Sequence, residues 1–260
     1  MEYIINRFRY VCKKSNEMNK DEVESYINAF NKVFVLNYNS EWFKWKYSNN
    51  IYGYSYLAIV YNNEEKVIAI RGFWRNDIYD NVKSFQPVDT GVLRKYRRMN
   101  IFTQMNKIVL ENIKNELVYN FPNSKSLPGY LKLDWKLKYR YNLHIVFDLK
   151  RVLNLGYLKK IDDNYLLWRF CKNPVKKYFY IKKENIYFLL SHKKYNIYYV
   201  LGIFEKKYIK YFKKVLFPIM FYYSTTKSKN YFLNNKCNLV IRNCEDRKNI
   251  DIPIFRGDTI

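Results

Sequence analysis

The chain has 260 residues, of which 48% are hydrophobic and 27% are charged, and its formal net charge is +24. This apolar fraction is enough for one large or two ordinary folded domains, and it excludes disorder over most of the length. The longest uncharged apolar stretch, residues 215–223, is far shorter than the ~20 residues that cross a bilayer, so we expect no membrane span. Residues 1–14 lack the features of a secretion signal, which predicts a cytoplasmic protein.

The first half of the chain predicts a helix followed by strands. Residues 21–34 form the first predicted helix. Residues 56–61 and 66–71 are short apolar runs on either side of the polar segment 62–65, a pattern that indicates a β-hairpin. Residues 85–92 form another apolar, β-branched run, in which Thr90 and Gly91 mark a bulge.

A basic loop and a long helix follow that strand. Apolar residues recur at spacings of three and four over residues 101–117, which predicts an amphipathic helix. Four cations stand between strand and helix: Arg94, Lys95, Arg97 and Arg98. A helix start offers unpaired N–H groups and the positive end of the helix dipole, and the cations add charge-assisted contacts. The segment therefore predicts a phosphate-binding turn.

The loop from Arg97 to Phe102 resembles the Arg/Gln-x-x-Gly-x-Gly/Ala loop of the GNAT (Gcn5-related) N-acetyltransferases, which wraps the pyrophosphate of acetyl-CoA in that family. The run from Tyr130 to Trp135 is similar to the family's Tyr-x-Lys-Leu-Gly-Phe, with Asp134 in place of Gly and Trp135 in place of Phe. The resemblance implies an α+β fold, a GNAT-like mixed central sheet flanked by helices. Further likenesses point to a branch that transfers to sugars or other cell-surface precursors. These are Asp89-Thr90, Phe121-Pro122-Asn123 and Leu133-x-Trp135.

The loop departs from the family at its glycines. Of the residues at the Gly-x-Gly positions, Arg98-Met99-Asn100, only Asn100 is a good substitute, because Asn visits left-handed backbone angles readily. If its position needs a positive φ, Arg98 destabilises the loop by ~1 to 3 kcal/mol relative to glycine, although its side chain can reach a phosphate. We expect the loop to bind CoA through charge more than through close backbone approach, or to have lost this ligand.

The resemblance also implies a cosubstrate site and catalytic groups. The predicted cosubstrate-binding residues are Gly91, Val92, Leu93, Arg97, Arg98, Met99, Asn100, Ile101, Phe102, Thr103 and Asn123. Backbone N–H groups of Gly91, Val92 and Leu93 would stabilise the thioester oxyanion, and Tyr130 would protonate the departing thiolate.

Each assignment has an alternative. An amine acceptor with a pKa near ~10.4 is mostly protonated at neutral pH, so a carboxylate or a water relay must take its proton. Asp89 is the candidate base and Glu41 a weaker one, but Asp89 also fits a hydrogen-bonding support. Tyr130 alternatively packs against the helix, and Asn123 alternatively makes the turn that follows Pro122.

A short repeat suggests two related halves. Trp45 and Trp168 are 123 positions apart, as are Asn50 and Asn173, and an aromatic strand follows each motif. We predict a GNAT acyl-CoA-binding half over residues 1–150 and a degenerate GNAT-like half over 151–260 that shapes the acceptor site. The two tryptophans are core anchors or line the acceptor pocket. The second half is predicted to hold strands at 178–190, 196–204, 236–241 and 252–255 and a helix at 205–216.

The leading functional hypothesis is an acetyl-CoA-dependent N-acyltransferase that acts by direct attack of an amine acceptor in a ternary complex. The acceptor class includes amino sugars. One alternative is a catalytically inactive binding protein with the GNAT fold, suggested by the missing glycines. Another is a tRNA-dependent aminoacyl transferase, suggested by the charge.

Nucleic acid and metal are not expected as ligands. The lysines are scattered among residues with AT-rich codons, so genome composition explains much of the charge without a nucleic-acid partner. The four cysteines lack metal-site spacing and the two histidines lie far apart, so we expect buried thiols and no metal.

Overall fold

The computed structural model describes residues 1–78, 82–154, 156, 158–225, 233–243 and 252–253, with the backbone alone for residues 233–236. The chain forms two compact units. The first contains Met1–Asn120 and Leu131–Trp135 with residues 241–243, and the second contains Phe121–Tyr130 and Lys136–Val240 with residues 252–253. None of the described helices is long and apolar enough to span a membrane.

Among its described residues, the first unit contains six strands and three α-helices. The strands are β1 (Glu2–Ile5), β2 (Phe8–Lys14), β3 (Tyr56–Tyr61), β4 (Val67–Arg75), β5 (Ser84–Val92) and β6 (Leu117–Asn120). The helices are α1 (Lys20–Phe34), α2 (Ser40–Phe43) and α3 (Ile101–Asn112). A π-helical turn, Lys44–Ser48, continues α2, and a 3₁₀ turn, Arg94–Tyr96, follows β5. The predicted first helix, the hairpin of β3 and β4 and the strand before the basic loop are confirmed.

The sheet of the first unit is mixed, as predicted. Strands β1 to β5 pair in chain order and antiparallel, and β6 pairs parallel to β5. Helix α1 starts at a capping box in which Asn19 accepts from the Glu22 N–H and the Glu22 carboxylate accepts from the Asn19 N–H. This arrangement satisfies two N–H groups that the helix leaves without partners, which fixes where α1 begins.

Helices α1 and α3 cover opposite faces of this sheet. A Cβ added at Gly72 would meet the hydroxyl of Tyr26 in α1, whereas the neighbouring Arg71 guanidinium lies over the ring of Phe102 in α3. Successive residues of a strand point to opposite faces, so these contacts assign one helix to each face. Both faces are apolar and buried, which explains the nearly continuous hydrophobic sequence of β3 and β4.

The second unit also contains both parallel and antiparallel strand pairs. Its strands are β7 (Lys136–Ile145), β8 (Tyr178–Lys183), β9 (Ile186–Lys194), β10 (Ile197–Phe204), β11 (Lys213–Lys214) and β12 (Ile219–Ser224), with most of β13 (Leu233–Arg242). The helices are α4 (Leu127–Leu131), α5 (Leu149–Asn154) and α6 (Asp163–Leu166). The strand order is β13-β7-β12-β10-β9-β8-β11, and β12 pairs parallel to β10 but antiparallel to β7.

The two tryptophan motifs adopt the same local structure. Helix α2 passes into the π-helical turn Lys44–Ser48, and α6 passes into the π-helical turn Leu167–Cys171, again 123 positions later. Trp45 and Trp168 are both buried. Each motif also buries one cation, Lys46 or Arg169, of which 1% is exposed in each case. The division into halves at residue 150 itself stays a prediction.

Three sequence predictions in the second unit need correction. The helix predicted over 205–216 is wrong, because this segment forms a 3₁₀ turn, Lys206–Tyr211, and then β11. Its apolar residues recur at spacings of three and four, which favours a helix locally, but pairing of Lys213 and Lys214 with β8 overrides this preference. The strand predicted over 178–190 is a hairpin of β8 and β9, whose turn contains Glu184 at φ 52°. Residues 252–253 form no strand, and residues 254–259 and Cys244 lie outside the described residues.

Candidate active site

A β-bulge lies near the end of β5. Ile70 faces Gly91 and Gly72 faces Val88, so the single residue Arg71 lies opposite both Asp89 and Thr90. Asp89 adopts φ 52°, a left-handed conformation that non-glycine residues rarely take. The bulge falls one position before the predicted Thr90-Gly91. It needs side-chain contacts to hold it, because the ladder of hydrogen bonds is interrupted there.

Those contacts come from a buried polar cluster on the α1 face. Lys46 Nζ lies 2.7 Å from Asp89 Oδ1, and the Tyr47 hydroxyl donates to Asp89 Oδ2. The hydroxyls of Tyr26 and Tyr47 lie 3.3 Å apart, so Tyr26 donates in turn to Tyr47. Burial is the main cause that raises the pKa of both tyrosines well above their usual range, which keeps both hydroxyls protonated and donating.

This geometry favours hydrogen-bonding support over general-base catalysis as the role of Asp89. Both of its carboxylate oxygens accept from strong donors, and only 5% of its side chain is exposed. Both oxygens are therefore occupied by donors of the chain itself and are not turned towards a substrate. Asp89 thereby fixes the bulge to the π-helical turn.

Arg71 supports the bulge from the α3 face. Its Nη1 donates to Thr90 Oγ1 over 2.6 Å, and its guanidinium lies over the rings of Phe73 and Phe102. The side chain is fully buried. Because Phe102 belongs to the first turn of α3, Arg71 connects the bulge of β5 with the start of that helix.

Beyond the bulge, β5 has an open edge. Strand β6 pairs in parallel with β5 at Ser84 and Phe85. In the part of the chain that the structure describes, no strand pairs with this edge of β5 beyond those residues. Leu93 N–H donates to Ile68 O, towards β4. Backbone groups alternate in direction along an antiparallel strand, so the N–H and C=O of Val92 point to the open edge. Arg97 Nε accordingly donates to Val92 O over 3.2 Å.

The basic loop forms two left-handed turns before α3. Arg98 has φ 67° and Asn100 has φ 60°, so both residues at the glycine positions of the resembled loop adopt the conformation that glycine would supply. Asn tolerates this conformation readily, whereas an arginine in it carries a backbone cost. The loop thus keeps the backbone path of a glycine-rich turn without its glycines.

The loop leads into an uncapped helix start. No side chain caps α3, and its first recorded hydrogen bond runs from Gln104 N–H to Asn100 O. The N–H groups of a first turn point past the helix end, where the helix dipole is positive. Arg94, Arg97 and Arg98 are exposed and form no ion pair with any residue that the structure describes. An anion at this turn would meet backbone donors and these cations together.

Two predicted site residues belong to the second unit. Tyr130 lies in α4, and only 4% of it is exposed. The Asn123 side-chain oxygen accepts from the N–H groups of Lys125 and Ser126 and from the Ser126 hydroxyl. This amide oxygen therefore makes the turn that begins α4, which is the alternative role predicted for Asn123.

Sequence reasoning did not identify the residues that hold the bulge. Lys46 and Tyr47 lie in the first tryptophan motif, in which the repeat singles out only Trp45 and Asn50. Arg71 ends an apolar run that was assigned to a strand. A charged residue inside such a run is a usable signal, because a buried cation needs a partner. Their common target, Asp89, cannot be identified without the fold.

The cysteines and histidines form no metal centre within the described ranges, where no three His, Cys, Asp or Glu side chains converge. Cys12 is buried, and burial raises the pKa of its thiol to about 12. His144 is buried, with its Nε2 3.1 Å from Ser224 Oγ, whereas His192 is exposed.

Comparison with solved structures shows that the chain has the GNAT fold. It superposes on a probable N-acyltransferase from Enterococcus faecalis with a TM-score of 0.55 at 12% identity, covering 90% of this chain and 72% of the other. A GCN5-related N-acetyltransferase from Anabaena variabilis gives 0.53 at 11% identity, covering 93% and 74%. One from Kribbella flavida gives 0.52 at 10% identity, covering 90% and 71%. No protein-family model and no curated protein matches the sequence. The predicted α+β, GNAT-like architecture is confirmed.

Proposed function

We propose that the chain is an acyl-CoA-dependent N-acyltransferase that uses acetyl-CoA and an amine acceptor, with amino sugars among the candidate acceptors. The observation that carries this proposal is the open edge of β5 leading into a left-handed basic turn and an uncapped helix start. In such an arrangement, the amide groups of an extended ligand can hydrogen-bond to the strand edge, and its phosphates can bind at the positively charged turn.

The pyrophosphate of CoA would bind at the start of α3. Its negative charge would meet the first-turn N–H groups, with Asn100 supplying the left-handed turn that exposes them. Arg97 already folds back onto the strand edge and the Lys95 ammonium lies over the Tyr96 ring, so Arg94 and Arg98 are the cations that remain to contact phosphate directly. Charge-assisted contacts of this kind are short and about twice as strong as neutral ones.

The thioester would lie beside Val92. This residue directs its N–H to the open edge, whereas the Leu93 N–H is engaged with Ile68. Of the two, Val92 is therefore the donor that we assign to the carbonyl oxygen as negative charge develops on it. The bulge sets the direction of this N–H, which is how Asp89 and Arg71 would act on the reaction without touching it.

Three proton transfers accompany the reaction. The acceptor ammonium first loses a proton, and the free amine attacks the thioester carbonyl. As the C–S bond breaks, the departing thiolate takes a proton, for which we keep Tyr130 as the proposed donor, and the nitrogen loses its second proton as the amide forms. Because Asp89 is engaged with Lys46 and Tyr47, we assign removal of both nitrogen protons to water, which also returns a proton to Tyr130.

Calorimetry with the purified chain tests the cosubstrate. Acetyl-CoA and desulfo-CoA should bind with similar affinities, because the phosphates and not the thioester supply most contacts. A panel of amines, including amino sugars, is then screened for thiol release with bound acetyl-CoA. Absence of binding at millimolar ligand would contradict the whole proposal.

A matched pair of variants tests the position of the phosphates. Asn100→Asp places a carboxylate beside the turn and should weaken CoA binding by at least about tenfold. Asn100→Gly keeps the left-handed conformation without adding charge and should bind as the wild type does. Equal affinity of the Asn100→Asp variant and the wild type would show that the phosphates bind elsewhere.

A second candidate function is CoA binding without turnover. Arg98 at φ 67° favours it, because a bulky side chain stands where the resembled loop brings its backbone close to the ligand. Binding of acetyl-CoA without thiol release from any amine would support this function. Thiol release that Tyr130→Phe reduces at unchanged CoA affinity would support the transferase and the proposed acid.

A further inference from the structure

Three loops of the second unit end at the same side of its sheet. The β9–β10 turn contains Tyr195 and Asn196, and the parallel pairing of β10 with β12 brings the start of β12 beside it. Because β7 runs antiparallel to β12, the end of β7 also reaches this side, where Val146 N–H donates to Met220 O. Asn196 Nδ2 donates to Phe217 O and links the first two loops.

Each of these loops presents a large apolar side chain to solvent. Phe147 is 72% exposed, Tyr195 is 78% exposed and Phe217 is 91% exposed. Leu216 and Ile219 beside Phe217 are 68% and 52% exposed. Single exposed apolar residues are ordinary, but a cluster on neighbouring loop tips marks an interaction site. We call these five residues the loop-tip cluster.

The geometry of the turns does not explain why residues 195 and 217 are aromatic. Tyr195 has φ 52° and Phe217 has φ 53°. In this left-handed region glycine or asparagine is favoured, and a bulky residue is a true outlier. Neither ring is buried, so neither residue gains core packing in return. At each tip an exposed aromatic ring is therefore accessible to a partner outside the folded chain.

The charges beside the cluster are mainly positive. Lys193 and Lys194 directly precede Tyr195 and are exposed, with the Lys194 ammonium over the Tyr195 ring. Lys214 lies three positions before Phe217 and is also exposed. The acidic residue next to the cluster is Asp148, whose carboxylate accepts from the Lys150 N–H.

We propose that the loop-tip cluster docks the protein on an anionic lipid bilayer. Aromatic side chains prefer the headgroup level of a membrane, where an apolar ring and a polar edge are both satisfied. Lysines beside them remain in water and attract anionic headgroups. Separate apolar tips with lysines beside them fit a deformable headgroup layer better than the flat, continuous face that a folded protein partner needs. This inference does not depend on the proposed acyl transfer.

Co-sedimentation of the full chain with vesicles tests the proposal. The wild type should bind vesicles of phosphatidylglycerol and phosphatidylcholine and bind those of phosphatidylcholine alone much less. The variant F147S/Y195S/F217S should partition at least about tenfold more weakly. The matched control I4S/V35S removes side chains that are 79% and 89% exposed in the first unit, and it should bind as the wild type does.

A matched pair of lysine variants tests the contribution of charge to vesicle binding. K193Q/K194Q should lower binding to the anionic vesicles, whereas K107Q/K114Q removes the same charge from exposed positions of the first unit and should leave binding unchanged. Equal losses in both variants would show attraction by net charge alone and would overturn the proposal.

Insertion has a direct spectroscopic test. All five native tryptophans are buried, so a tryptophan at position 217 would be the exposed one. Emission of the F217W variant should shift to the blue on anionic vesicles and be quenched by brominated lipid. Absence of vesicle binding, together with self-association that F147S/Y195S/F217S abolishes, would overturn membrane docking and assign the cluster to a dimer interface.

Discussion

Replacing Asp89 with alanine tests whether the buried cluster holds the bulge. The substitution removes the carboxylate that faces the Lys46 ammonium 2.7 Å away, where the two side chains are 5% and 1% exposed. Removing one partner of such a pair lowers the free energy of unfolding by about 3–5 kcal/mol, because the remaining charge stays unpaired in a low-dielectric site. A further ~1 kcal/mol arises because alanine takes φ 52° less readily than aspartate.

Two further variants separate charge from backbone conformation. Asp89→Asn keeps the shape of the side chain and tolerates the left-handed conformation. Its expected loss of about 3 kcal/mol in the free energy of unfolding therefore reports the charge alone. Combining it with Lys46→Met removes the uncompensated ammonium. The double variant should be less destabilised than the sum of the single losses by about 2 kcal/mol.

Urea unfolding of the wild type, the three single variants and the double variant gives these values. Trp42 and Trp74 report the unfolding of the cluster directly, because the Lys46 ammonium lies 5.4 Å and 5.6 Å from their rings. A loss below about 1 kcal/mol for Asp89→Ala, or strict additivity in the double variant, would refute a structural role for the ion pair. Loss of turnover without loss of stability would instead indicate that Asp89 is the general base.

Three further predictions concern the open strand, the loop and the thiols. A Cβ at Gly91 would lie 2.6 Å from Val33 Cγ1, so Gly91→Ala should cost about 1–3 kcal/mol in urea unfolding and Val33→Ala should restore at least part of it. Arg98→Gly should raise the free energy of unfolding by about 1 kcal/mol and weaken CoA binding about fivefold in calorimetry, because it relieves the left-handed conformation but removes a cation. Burial raises three thiol pKa values to about 12, so alkylation by iodoacetamide at pH 8 should be roughly a thousandfold slower than for an ordinary thiol and should accelerate as pH rises, which mass spectrometry of each site checks. These thiols are Cys12, Cys171 and Cys237.

The loop and the first half of the fold were predictable because their signals are local. Helix α3 starts at Ile101, where the apolar spacing of three and four begins, and Asn100 takes the left-handed conformation that its side chain favours. The helix ends at Asn112, five residues before the predicted end, since Leu117 already begins β6. Boundaries of this kind depend on packing against the sheet and not on the helix sequence.

The contacts that decide the role of Asp89 were not predictable. Lys46 and Asp89 are 43 positions apart, and neither sequence neighbourhood specifies the other. Periodicity assigns a strand or a helix to each residue, but a buried ion pair depends on how the π-helical turn packs against the sheet. The hairpin turn at Glu184 was missed for a related reason, because it lacks the glycine that usually marks such turns.

The local repeat explains why a cation is buried beside the first sheet. In both units an α-to-π segment is followed by three antiparallel strands and a 3₁₀ turn. In the first unit the turn leads to Asn100 and α3, whereas in the second it leads to β11, and no helix like α3 follows among the residues that the structure describes. A cation nevertheless stays buried in the second motif, at Arg169. Because it persists without such a helix, this cation serves the packing of the π-helical turn. Lys46 should therefore act on CoA binding only through the bulge that Asp89 holds.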